Sequence, residues 1–233
     1  MARLRSGEIR LDDEQKQAVH DLYRGEVAAV DAAVGTVLDA LDRHQLRDTT
    51  LVVCVADHGE EFWDHGGVEH GHTVYEELIR VPLMMRWPVH LPSGRRVEPI
   101  VRLTDVAPTV LALLGVPVPG GRDSESFLPL VRGEAEAPRG ALIENMLFAD
   151  ERVGLRTEQY KYVRWDYGKE ELYDLWTDPL ERLDLAASGE RLAVLRATYA
   201  AFGAEPNERP RTGSPPIVDE RTEAAMRALG YLK

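Results

Sequence analysis

One cysteine, Cys54, stands in a chain of 233 residues. That scarcity excludes an intrachain disulfide and a cysteine-based zinc site, and its place inside an apolar run favours a buried thiol over a nucleophile. No uninterrupted apolar stretch approaches the roughly 18 residues that a membrane helix needs. The opening MARLRSGEIRLDDEQ holds no apolar signal-peptide segment. Positive charge is also short: 28 Lys and Arg against 40 Asp and Glu give a net charge of −12. No overall field therefore draws the chain to nucleic acid or to an anionic membrane. An anionic substrate would need local positive charge from a metal or from histidines.

What is present is concentrated between Leu51 and His72, LVVCVADHGEEFWDHGGVEHGH. Leu51 to Ala56 is a Val-rich apolar run too short for a typical helix, and it reads as a buried strand. It stops at Asp57-His58-Gly59. In open α/β sheets, ligands bind just beyond the carboxyl ends of strands, where this cluster would lie. Four of the seven histidines, His58, His65, His70 and His72, fall within 15 residues, among Glu60, Glu61, Asp64 and Glu69. With Gly59 relaxing the backbone, Asp57 and His58 can offer a carboxylate oxygen and an imidazole nitrogen to one hard divalent cation such as Ca²⁺, Mg²⁺ or Mn²⁺. The plainer account makes Asp57 a turn cap and His58 a hydrogen-bonded loop residue. His65, His70 and His72 beside a metal could hold the oxygens of a phosphate or sulfate, or one could act as general acid. A solvated loop explains any single one of them, but not their concentration. The four carboxylates read as surface or supporting groups rather than ligands.

Around this stretch the chain changes rhythm once. Val19, Leu22, Tyr23, Val27, Val30, Val34, Val37, Leu38 and Leu41 predict one helix of about thirty residues, with Asp12 or Asp13 at its start. Strands are expected at 50–56 and 81–87, a short helix at 73–79, and a helix at 105–114 capped by Thr104. Past Gly140, short β-prone segments at 141–148, 152–157, 160–165 and 171–175 predict an antiparallel sheet. Helices at 190–202 and 219–229 follow, separated by a Pro-rich crossing. The expected class is α/β. Residues 1–135 form part of a mostly parallel sheet covered by helices, and residues 136–233 a small antiparallel α+β subdomain.

Several of these segments, in order, resemble the C-terminal half of a sulfatase of the alkaline phosphatase superfamily. They are YRGEVAAVDAAVGTVLDAL, LVVCVADHGEEFWDHGG, YEELIRVPLMMRWP, LTDVAPTVLALLGVP, ELYDLWTDPLERLDLA and MRALGYL. The likeness implies an alkaline phosphatase-like fold and arylsulfatase-like, metal-dependent hydrolysis of sulfuric esters. It implies Asp57 and His58 as paired ligands of an active-site cation, most often Ca²⁺, with Mg²⁺, Mn²⁺ or Zn²⁺ as alternatives. It also implies substrate binding by His65, His70 and His72, with a catalytic role for His70 or His72. Counting forward from Asp57 puts His70 where many sulfatases place a substrate-binding lysine; counting back from Val81-Pro82 lands on Gly71, so His72 stays an alternative. Histidine at that place is similar to related phosphoryl and phosphoethanolamine transferases. A phosphoester or phosphonoester hydrolase or a phosphotransferase is therefore the alternative activity, and a non-catalytic metal-binding module a third reading. The family's nucleophile, a formylglycine made from the Cys or Ser of a C/S-x-P-x-R motif, has no counterpart: Cys54 is followed by Val-Ala-Asp. The resemblance thus implies a missing N-terminal half as partner, a sulfate or phosphate ester as substrate, and no turnover by this chain alone.

Overall fold

The computed structural model describes residues 2–118, 124–134, 139–144, 152–187 and 189–201. After a short helix, α1 (Ala2–Arg5), comes α2 (Asp13–Arg43), the long helix that the apolar spacing predicts. Asp12 caps it: its carboxylate accepts from the Gln15 backbone N–H, and the Gln15 side chain accepts from the Asp12 N–H. Both otherwise unmet donors of the first turn are satisfied in this reciprocal way. None of the residues of α2 is buried. Its apolar stripe lies open, with Leu22 73% and Val30 62% exposed.

β1 (Val52–Val55) follows and pairs with β4 (Leu83–Arg86), Val52 lying opposite Arg86 and Val55 opposite Leu83. The pairing is antiparallel, whereas the sequence pattern led to a mostly parallel sheet. The reason is the return path. Ala56 N–H donates to Pro82 O at 3.3 Å and Gly59 N–H to Leu78 O at 2.8 Å, so the chain folds straight back along β1. A parallel neighbour needs a crossover over one face of the sheet. Between β1 and β4 lie a two-residue ladder, β2 (Glu61–Phe62) with β3 (Val68–Glu69), and the single-turn helix α3 (Glu76–Ile79). Two-residue strands show no period, so no pattern in the sequence marks them.

A 3₁₀ turn at Leu103–Asp105 leads into α4 (Val106–Leu113), and α5 (Leu128–Arg132) ends at Gly133 with φ 80°. Asp105, not Thr104, organises this start. Its buried carboxylate accepts from the Arg102 N–H at 3.0 Å and pairs with the Arg102 guanidinium at 2.8 Å.

The remaining strands are β5 (Ala141–Ile143), β6 (Arg152–Arg156), β7 (Tyr160–Trp165) and β8 (Glu170–Asp174). They form an antiparallel meander in sequence order, as expected from their short connections. Side chains alternate across a strand, so this sheet has two faces of different character. Val153, Leu155, Tyr162 and Leu172 pack against Leu192, Leu195 and Tyr199 of α6 (Gly189–Ala201). The opposite face presents Lys161, Glu171 and Tyr173, and Tyr173 and Leu175 meet Tyr75 just before α3. The expected helix at 219–229 and the boundary at 135 lie outside the described residues. No described helix is long and apolar enough to cross a membrane.

Candidate metal and ester site

The end of β1 is held by backbone contacts. Gly59 is not there for conformational freedom, since its φ is not among the positive ones. It is there for close approach: a Cβ at this position would overlap the backbone carbonyl of Glu77. Gly59→Ala is therefore expected to lower stability by about 2 kcal/mol, as overpacking against an immovable backbone does. Urea unfolding checks this, and an unchanged midpoint would contradict it.

Beside this clamp, Asp57 leaves its side chain 85% exposed. His58 Nδ1 lies 2.8 Å from Gly59 O. A carbonyl only accepts, so Nδ1 carries the hydrogen, and in the neutral ring Nε2 holds the lone pair. That Nε2 is 3.7 Å from Asp57 Oδ1. A carboxylate oxygen and an imidazole lone pair thus sit side by side, in the tautomer that a metal requires. The His58 ring stacks on His70 with centroids 3.9 Å apart, and His70 Nδ1 lies 2.5 Å from Glu60 Oε1. Donor atoms of His58, Glu60 and His70 all fall within 4.8 Å of one another, a second donor set that shares His58 with the first. Glu60 is the residue that sequence reasoning left among the supporting carboxylates.

His72 goes elsewhere. Its Nε2 lies 2.7 Å from Oε2 of Glu61, a carboxylate only 1% exposed. The other oxygen of Glu61 accepts from His65 N–H at 2.9 Å and Gly67 N–H at 2.6 Å. A Cβ at Gly67 would run into the His72 ring and the Glu61 carboxylate, so any larger residue here would displace this pair. Burial pushes the Glu61 carboxyl up, but the bonds from His72, Gly67 and His65 outweigh it and hold it below the usual range. The bond to Glu61 outweighs burial at His72 and holds that imidazole above its ordinary value. The His72 contribution is thus complete below 6.5 and is lost as pH rises through the raised folded value. The Glu61 contribution is present above 4.5 and is lost as pH falls through the depressed folded value. Glu61→Gln is expected to cost about 2 kcal/mol where both are ionised. The gap to the wild type should narrow as pH rises past the His72 value. Thermal unfolding across pH checks this, and a gap that stays constant through neutral pH would contradict it.

His65 forms a third group. Its Nδ1 lies 2.7 Å from Glu77 Oε1, its Nε2 3.2 Å from Glu181 O, and its ring stacks on Tyr75 at 3.7 Å. Both nitrogens thus face acceptors of the chain itself. The structure therefore brings His58 and His70 together and gives His65 and His72 separate carboxylate partners. Glu61, Glu77 and Glu181 were missed as partners. For Glu181 no local pattern could have found it, 116 residues away from His65.

A family model described as sulfatase matches residues 6–116, and one described as N-sulphoglucosamine sulphohydrolase, C-terminal, matches residues 64–199. A curated relative, N-acetylglucosamine-6-O-sulfatase of Bacteroides thetaiotaomicron, is 29% identical over 179 residues, 72% of this chain and 32% of its own. A chain solved in complex with its substrate, D-glucosamine-2-N,6-O-disulfate, superposes with a TM-score of 0.69 at 27% identity, covering 79% of this chain and 41% of its own. The phosphonate monoester hydrolase of Agrobacterium radiobacter superposes with a TM-score of 0.70 at 27% identity, covering 82% of this chain and 41% of its own. The chain spans about a third of the length of the curated relative and well under half of either solved chain. With the second family model alone covering more than half of the sequence, this chain belongs to the sulfatase family of the alkaline phosphatase-like superfamily.

Proposed function

We propose that this chain supplies the C-terminal part of the active site of a metal-dependent sulfuric ester hydrolase. The observation that carries the reading is the Asp57–His58 pair at the end of β1: Nε2 of the correct tautomer lies 3.7 Å from Asp57 Oδ1. These two residues would hold the divalent cation. Glu60 Oε1 and His70 Nδ1 are already engaged with each other, which favours Asp57 over that pair as His58's fellow ligand. A set with a carboxylate oxygen suits a hard ion, and Ca²⁺ is the family's usual choice. When bound, the ion supplies Lewis acidity toward an ester oxygen. His70 is oriented from one side by Glu60 and from its face by His58; in the imidazolium form, with Nδ1–H on Glu60, its Nε2–H would donate to an anionic ester oxygen and stabilise developing charge. His72, its Nε2 committed to Glu61, and His65, between two acceptors, support the loop that carries His70. We further propose the division at 1–135 and 136–233 as two architectures packed into one site, and a longer catalytic domain that covers α2 and β1.

In the intact enzyme, His70→Ala is expected to lower kcat/KM by about 10²- to 10³-fold, the range for losing one preorganised donor. His72→Ala should cost about tenfold, acting through the loop. The reverse order would move the substrate role to His72. A second reading, phosphonate or phosphate ester hydrolysis, is favoured by the fold match to a phosphonate monoester hydrolase. The ratio of kcat/KM for an aryl sulfate and an aryl phosphonate monoester decides between the two.

A further inference from the structure

The least expected chemistry in this chain lies under the site, not in it. Lys161 of β7 and the Glu181 side chain are both 0% exposed, and Lys161 Nζ lies 2.7 Å from Glu181 Oε1. The same ammonium lies 2.9 Å from Glu76 Oε1 as an ion pair and donates to Val74 O at 3.1 Å. Glu181 Oε2 accepts from the Glu76 backbone N–H at 2.7 Å, and Glu181 O accepts from His65 Nε2 at 3.2 Å. Glu181 does this at φ 54°, a backbone region that non-glycine residues occupy only when their surroundings enforce it. Each contact ends on Val74–Glu77 or on His65. The next links lead to the metal pair: Leu78 O accepts from Gly59 N–H at 2.8 Å, and Glu77 O is the carbonyl that leaves Gly59 no room for a Cβ.

We propose that Lys161 and Glu181 are positioning residues: through them the antiparallel sheet fixes α3 and His65, and α3 in turn clamps Gly59 and sets the Asp57–His58 pair. The proposal rests on the site reading above. A buried ion pair that merely held the fold could be replaced by apolar groups without consequence for the site. This one ends on backbone groups and on a ring nitrogen, and so specifies where a loop stands.

The test uses the full polypeptide with Lys161→Met, Lys161→Arg and Glu181→Gln. Mn²⁺ affinity is read by calorimetry well below the melting temperature, and the ring resonances of His58 and His65 by ¹⁵N NMR. Folded Lys161→Met is expected to bind Mn²⁺ about tenfold more weakly, the scale for losing the support of a ligand. The His65 and His58 ring resonances should shift with it, and Lys161→Arg should restore part of both. Where Lys161→Met does not fold, Glu181→Gln, which keeps the size of the side chain, takes its place with the same two readouts and the same expected changes. A folded variant with wild-type affinity and unmoved ring resonances overturns the proposal, whatever happens to its melting temperature. If the wild type binds no Mn²⁺, the metal reading fails, and the ring resonances alone decide the positioning role.

Discussion

The 233-residue chain, purified with Ca²⁺ present, is expected to turn over no aryl sulfate ester. It holds the Asp57–His58 pair proposed to take the metal and the histidine loop, but no residue in it opens the nucleophile motif that the family uses. Cys54, the one thiol, lies within β1, where Met84 pairs opposite it across the ladder. Covalent catalysis divides a difficult displacement into two easier steps, and without it the ester is left near its uncatalysed rate, many orders of magnitude slower. The apolar stripe of α2 bears on how the chain behaves in solution. Leu22 and Val30 lie open, as do Val55 of β1 and Met84 of β4. Open apolar surface of this kind promotes association, so the chain alone is expected to dimerise or aggregate. Co-expression with a polypeptide that supplies the nucleophile part of a sulfatase domain should restore both solubility and turnover. Turnover by a monomeric preparation of the chain alone would contradict the account.

Much of the fold was legible because period carries it. The apolar steps of α2 and the segments of β6 to β8 repeat long enough to be read, and the run of β1 is marked by its Val content and its length. The β2–β3 ladder escaped because two residues cannot show a period, and α5 because it is five residues long with Pro129 in its first turn. Strand direction escaped for another reason. It depends on whether the connection crosses a face of the sheet, which apolar content does not encode. In the site, the histidine concentration was visible, but its internal division was not. Which carboxylate takes which imidazole follows from the bend at Trp63 and the end of β3 at Glu69, both at positive φ, and from the tight turn at Gly66. Lys161 and Glu181 were invisible for a plainer reason. A buried lysine in an alternating strand looks like any surface lysine until its partners, far away in sequence, are placed against it.

Asp57→Ala carries the largest expected effect of any single substitution on metal binding. The side chain is 85% exposed, and among the described residues its carboxylate accepts a hydrogen bond only from the adjacent His58 N–H, at 3.1 Å. Removing it should change stability by no more than about 0.5 kcal/mol, as for other surface substitutions. Its effect on binding should be far larger, because a cation held by few protein ligands loses its charged hard donor. The measurement is a calorimetric titration of the intact enzyme with Ca²⁺, wild type against Asp57→Ala, with unfolding followed alongside. The account predicts affinity reduced more than about tenfold at nearly unchanged stability. Equal affinity in the two proteins would remove Asp57 from the site and contradict the assignment of the metal to the end of β1.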